Sequence, residues 1–138
     1  MNKHVRLTKS LVEETFDSCN QLYFNGEIKK PAKFVLYTYH PKCVGMVRGI
    51  MTKKKFVSWL HISNSYHWTM ENLRDTIVHE MIHLYLGDYL RKLPFWALFF
   101  PKLQHSKEFS DWVNYLNSTY PELNVVIIAK HMRKEFKG

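Results

Sequence analysis

Apolar residues recur at every third or fourth position from Leu11 through Val12, Phe16, Cys19 and Leu22 to Tyr23. That spacing lays one apolar stripe along an α-helix. Ser10-Leu11-Val12-Glu13 reads as a capping box at its start, and Asn25-Gly26 as its stop. After Pro31 the pattern changes: residues 33–39, closed by His40-Pro41, are rich in β-formers. Residues 43–51 and 56–62 predict two further strands, joined through Thr52-Lys53-Lys54-Lys55 as an antiparallel pair. In the later strand Phe56, Ser58, Leu60 and Ile62 share one face, and Val57, Trp59 and His61 the other. Gly45 and Gly49 mark bends or close approaches in the earlier one.

A second helix follows, capped by Thr69, with Glu71 in its first turn and Gly87 as a natural stop. Ile77, Val78, Met81, Ile82, Leu84, Tyr85 and Leu86 make it apolar on most sides, the signature of a helix buried at the centre of a small domain. Residues 93–101 are the most apolar stretch and are too short to span a bilayer. They are expected to pack as core or as a short helix over the sheet, the alternatives being a lid over a cleft or a membrane or partner contact. Ser106 caps a last helix whose stripe is Phe109, Trp112, Val113 and Leu116, ending at Asn117-Ser118. Residues 125–129 read as a final strand, and residues 130–138 form a basic tail. The sum is one α+β domain over residues 1–138, with a core at about residues 8–117: an N-terminal helix, a three- to four-stranded sheet, a central helix and a C-terminal helix.

Composition narrows the class. Hydrophobic residues make up 46% of the chain, which excludes a disordered polymer, and no apolar run reaches transmembrane length. No stable membrane insertion is therefore expected. The first residues lack the apolar centre of a secretory signal, so a cytoplasmic, intracellular location is expected, with nucleoid association open. Cys19 and Cys43 form no Cys-x-x-Cys pair, which excludes a cysteine zinc ribbon within these residues, and both are expected to be reduced and buried. The net charge of +8 is uneven: between Ile28 and Met70 stand eight Lys or Arg and no Asp or Glu. Such a region suits an anionic partner such as nucleic acid, although a solvated basic face would read the same way. Lys53, Lys54 and Lys55 at the hairpin tip, with Lys29, Lys30 and Lys33, are candidate phosphate contacts. Trp59, Trp68 and Tyr66 are candidates for stacking on unpaired bases, each weighed against a place in the core.

The candidate chemistry lies on the central helix, in His79-Glu80-Met81-Ile82-His83. Positions four apart stand one above the other, so both imidazoles can reach one metal ion, with Glu80 one step round the helix. A zinc hydrolase uses this spacing: two histidines hold Zn²⁺ and the adjacent carboxylate takes a proton from the water that zinc activates. A catalytic site needs a third protein ligand. The compact metzincin pattern is excluded by Leu86 and Tyr89, where it requires Gly and His. Asp88, His105 and Glu108 remain as candidates.

Four segments in order, Tyr23-Phe24-Asn25-Gly26-Glu27-Ile28, Leu60-His61-Ile62-Ser63-Asn64, Thr76-Ile77-Val78-His79-Glu80-Met81-Ile82-His83-Leu84-Tyr85 and His105-Ser106-Lys107-Glu108-Phe109, resemble the SprT-like domain. This is the protease domain of the Spartan DNA-protein crosslink repair enzymes and their bacterial relatives. The resemblance covers most of residues 8–117. It implies a zincin-like fold, one Zn²⁺ held by His79, His83 and His105, Glu80 as the catalytic base, and Glu108 in a supporting role, either structural or behind the ligands, for example bonding a ligand histidine. It further implies a zinc metalloprotease acting on proteins bound or crosslinked to DNA, the DNA being single-stranded or junction-like. Three features depart from the family: Ser106 where Gly is usual, the apolar insertion between His83 and His105, and no zinc ribbon. Two rivals follow from the same residues. One is a zinc-stapled nucleic-acid-binding module without protease activity, and the other a metalloprotease with no nucleic-acid role.

Overall fold

The computed structural model describes residues 3–38, 44–52, 55–87 and 105–127. Of Met51, Thr52, Lys55 and Phe56 it describes the backbone. The elements run α1 (Lys9–Phe24), β1 (Lys33–Tyr37), β2 (Gly45–Thr52), β3 (Lys55–Ser63), α2 (Met70–Leu86) and α3 (Lys107–Thr119). The chain is thus the α+β fold that its apolar pattern predicts. Cys43, Lys53, Lys54, Asp88, the apolar stretch 93–101 and the basic tail 130–138 lie outside the described residues.

Side-chain caps fix the helix starts. Thr8, in extended backbone, accepts a hydrogen bond from the Leu11 amide at 3.0 Å, so α1 begins before the expected capping box and Ser10 lies inside the helix. Asn25 and Gly26 end α1 in the left-handed region, at φ 54° and 72°. Thr69 and Ser106 cap α2 and α3, and Gly87 closes α2 at φ 69°, as expected.

The sheet has the order β1-β3-β2. β2 and β3 form the expected antiparallel pair, and β1 joins the other side of β3 in parallel. The register puts Phe34, Leu36, Val47, Leu60 and Ile62 on one face, which packs into the core. Lys33, Val35, Arg48, Trp59 and His61 occupy the opposite face. The core joins Leu60 and Ile62 to Val12 and Phe16 of α1, Leu73, Ile77, Val78, Met81 and Ile82 of α2, and Phe109, Val113 and Leu116 of α3. Tyr66 and Trp68 also belong to it, and the Trp68 indole donates to the Ser63 carbonyl at 2.7 Å, so both take the core reading instead of offering stacking surfaces. Cys19 is a free, buried thiol pushed up to about 12 by burial, as an inert structural cysteine should be.

Of the strand expected over residues 125–129, residues 125–127 are described. Residues 125–127 carry no strand, because side chains take the backbone groups a neighbouring strand would have used. The Asn117 amide accepts from the Val125 N–H and donates to the Val125 carbonyl, both at 2.9 Å, and the Asp75 carboxylate accepts from the Asn124 N–H at 3.3 Å.

His61, on the central strand, is buried, and among the described residues its Nδ1 has no hydrogen-bond partner. Burial, then the nearby Arg48 cation, lowers its pKa below 6.5. Below that pH the unfolded chain takes up a proton that the folded one refuses, so this residue makes stability fall as pH falls. Equilibrium denaturation should show that decline below pH 6.5, with this residue contributing at most about 1.4 kcal/mol per pH unit, less as solvent reaches the ring. His61→Phe should flatten the slope by that share.

Candidate metal centre

Two helices build the site. On α2, His79 and His83 stand one turn apart with ring centroids 5.2 Å from each other. The third ring comes from the start of α3, where the Ser106 hydroxyl accepts from the Phe109 N–H at 3.2 Å and His105 precedes this cap. The fully buried Phe109 sets how α3 meets α2: its ring lies 4.7 Å from His79, 4.4 Å from His83 and 4.8 Å from His105. The His105 ring is thereby brought to 5.1 Å from His79 and 5.3 Å from His83.

One ligand atom from each of His79, His83 and His105 lies within 4.8 Å of the others. The fit to a metal can be tested at His79. Its Nδ1 stands 2.7 Å from the Val126 carbonyl oxygen, which can only accept, so Nδ1 carries the proton and Nε2 keeps its lone pair. Burial, followed by the neighbouring His83 and His105, holds the His79 pKa well below 6.5 and keeps the ring neutral. The Nε2 atoms of His79 and His105 are 3.3 Å apart. Two nitrogens at zinc–nitrogen bonds of about 2.0–2.1 Å in a tetrahedral site are separated by about the same length. A neutral all-imidazole donor set with its tautomer fixed by a carbonyl suits zinc.

Glu80 is only 5% exposed, and its Oε2 lies 3.8 Å from His79 Nε2. It therefore sits beside the ligand nitrogens without belonging to the three-histidine group. Of the other third-ligand candidates, Glu108 is exposed in the first turn of α3 and outside that group. Among the described residues, His79, His83 and His105 are the group that could hold a metal ion.

Of the candidate phosphate contacts, Lys53, Lys54 and the Lys55 side chain lie outside the described residues. Lys29 is exposed, and the Lys30 ammonium pairs with Glu13 at 2.9 Å and Asp17 at 3.1 Å, bonds that hold it charged above its usual range. Sequence reasoning missed the Val126 carbonyl, since a backbone acceptor 47 positions away leaves no residue signature. It also missed the role of Phe109, read only as the first residue of the apolar stripe of α3.

A buried helix bearing His79, Glu80 and His83, a sheet packed beside it and a third histidine at the start of the next helix make the HExxH…H arrangement of zincin-like proteins. The chain belongs to the SprT-like family, whose model matches residues 12–130. No curated protein and no solved structure matches it.

The chain should bind one zinc per molecule, measured by metal analysis after dialysis, and lose it to a chelator. His105→Ala should weaken zinc by more than the roughly 10- to 100-fold typical of losing a residue that only orients a ligand. Glu108→Ala should leave the affinity within a few-fold.

Proposed function

We propose that this chain is a zinc-dependent metallopeptidase that hydrolyses peptide bonds in proteins bound or crosslinked to DNA. The observation that carries the reading is the buried Glu80 carboxylate beside three convergent histidines. Zinc bound there would supply Lewis acidity, polarising a carbonyl and bringing the pKa of a water towards neutrality. His79, with Nδ1–H engaged by Val126, presents Nε2 and, with His83 and His105, holds the ion. Glu80 takes the proton of the attacking water and returns it to the leaving nitrogen. Phe109, closing one side of the three rings, limits their rotation and excludes solvent there.

The sheet offers a place for an extended substrate. β3 is central, so β1 and β2 are the edges among the described strands, and β2 is the one that packs against α2. At Gly45 a Cβ would stand 3.1 Å from Thr76 Cγ2, one helical turn before Glu80. We assign the substrate backbone to the β2 edge, where main-chain hydrogen bonds give affinity whatever the side chains.

Three features support a DNA-linked substrate: membership of the SprT-like family, the net charge of +8, and a basic aromatic strip on the outer sheet face. In that strip Lys33 and Arg48 flank Trp59 in register, with the Lys33 ammonium 4.7 Å from the ring centroid.

The test compares cleavage of a DNA-binding protein, with and without single-stranded DNA, by the parent chain and by Glu80→Gln. The parent should cleave more with DNA present and lose that stimulation steeply as salt rises. Glu80→Gln should keep its zinc and lose about 10²- to 10⁴-fold in rate. A parent chain that binds zinc and DNA but is as inactive as the variant would replace this reading with a zinc-stapled nucleic-acid-binding module.

A further inference from the structure

We propose that Asn117, near the C-terminal end of α3, is a positioning residue for the metal centre, acting on His79 through the backbone of Val125 and Val126. The inference rests on the metal site proposed above and adds to it a residue outside the ligand set. The chain of contacts is short. Asn117 Oδ1 accepts from the Val125 N–H and Asn117 Nδ2 donates to the Val125 carbonyl, both at 2.9 Å. One side-chain amide thus fixes the peptide planes on both sides of a buried residue, as a neighbouring strand would. The next carbonyl, that of Val126, accepts from His79 Nδ1 at 2.7 Å.

The geometry makes this clamp specific. Residues 122–126 are tied to the helices at several points: the Arg74 guanidinium donates to the Glu122 carbonyl, the Asn124 N–H to Asp75, and the Tyr23 hydroxyl to the Glu122 carboxylate at 2.9 Å. Those ties lie two or more residues before Val126. The Asn117 clamp fixes the 125–126 peptide, one unit before the 126–127 peptide whose carbonyl sets the tautomer and ring plane of His79, and so acts on it through the backbone of the single residue Val126. α3 therefore contributes twice to the centre, with His105 just before its first turn and Asn117 in its last. A ring free to turn, or to move its proton to Nε2, would present a poorer donor to a metal.

The test measures zinc affinity by chelator competition and the visible absorption of the Co²⁺-loaded protein. Parent chain, Asn117→Ala, Asn117→Asp and Glu122→Ala are compared, with circular dichroism and thermal melting of each metal-free chain. Asn117→Ala should lose roughly 10- to 100-fold in zinc affinity and alter the Co²⁺ spectrum while the metal-free chain stays helical. Asn117→Asp keeps the acceptor for the Val125 N–H and loses the donor to the Val125 carbonyl, so it should fall between. It carries the test if the alanine variant does not fold. Glu122→Ala releases the Tyr23 tie and should leave affinity and spectrum near those of the parent. Unchanged affinity and spectrum in the Asn117 variants overturn the inference, as does an equal loss in Glu122→Ala, which would mean general loosening. A parent chain that binds neither ion overturns the proposed function and this inference together, whereas parent binding that survives in the Asn117 variants overturns this inference alone.

Discussion

The contact on which the rest depends is the seating of Phe109 between α3 and α2. A fully buried aromatic ring within 5 Å of three imidazole centroids does more than fill space. It fixes the approach of a helix whose leading residue is the third histidine, and so turns two histidines on one helix into a three-sided site. Aromatic burial supplies the energy, and the Ser106 cap supplies the direction by starting α3 immediately after His105. Neither would assemble the site alone.

The site combines parts of different reach. His79, Glu80 and His83 are set by helix geometry and would keep their spacing in any fold that kept α2. His105 and the Val126 carbonyl depend on long-range packing, 26 and 47 positions from His79. The three-histidine group and the neutral, tautomer-fixed His79 come from that second group, through a carbonyl that can only accept and an interior that disfavours the imidazolium. Glu80 gains its setting from burial, with its carboxylate at the rim of the ligand nitrogens.

How much could be read in the sequence follows the same division. The periodicity of α1 and α2, the stop at Asn25-Gly26, the caps at Thr69 and Ser106 and the β2–β3 pair are local, and the residues declare them. The histidine pair was legible for the same reason. His105 became one candidate of three by residue chemistry, and only the resemblance to a family singled it out. The parallel pairing of β1 with β3 has no turn signature because its connection runs through β2. Residues 125–127 carry no strand although their β-branched side chains favour extension, because Asn117 and Asp75 compete for the groups that a ladder would use. Thr8 caps α1 in place of Ser10 because its hydroxyl, held in extended backbone, accepts from the Leu11 N–H and begins the helix earlier than a capping box at Ser10 would.

The three histidines belong to two helices, and the connection between them runs 22 positions, from His83 to His105. An ion shared across that gap is a non-covalent cross-link. It would close a loop that the α2–α3 packing also closes. An ion held by the three histidines would make its occupancy and the docking of α3 one equilibrium: whatever loosened α3 would weaken the ion, and whatever removed the ion would loosen α3. In a chain whose candidate substrate edge lies on the sheet beside α2, catalytic competence and mechanical integrity would rise and fall together, so a chain stripped of its ion would lose its shape at the cleft as well as its chemistry.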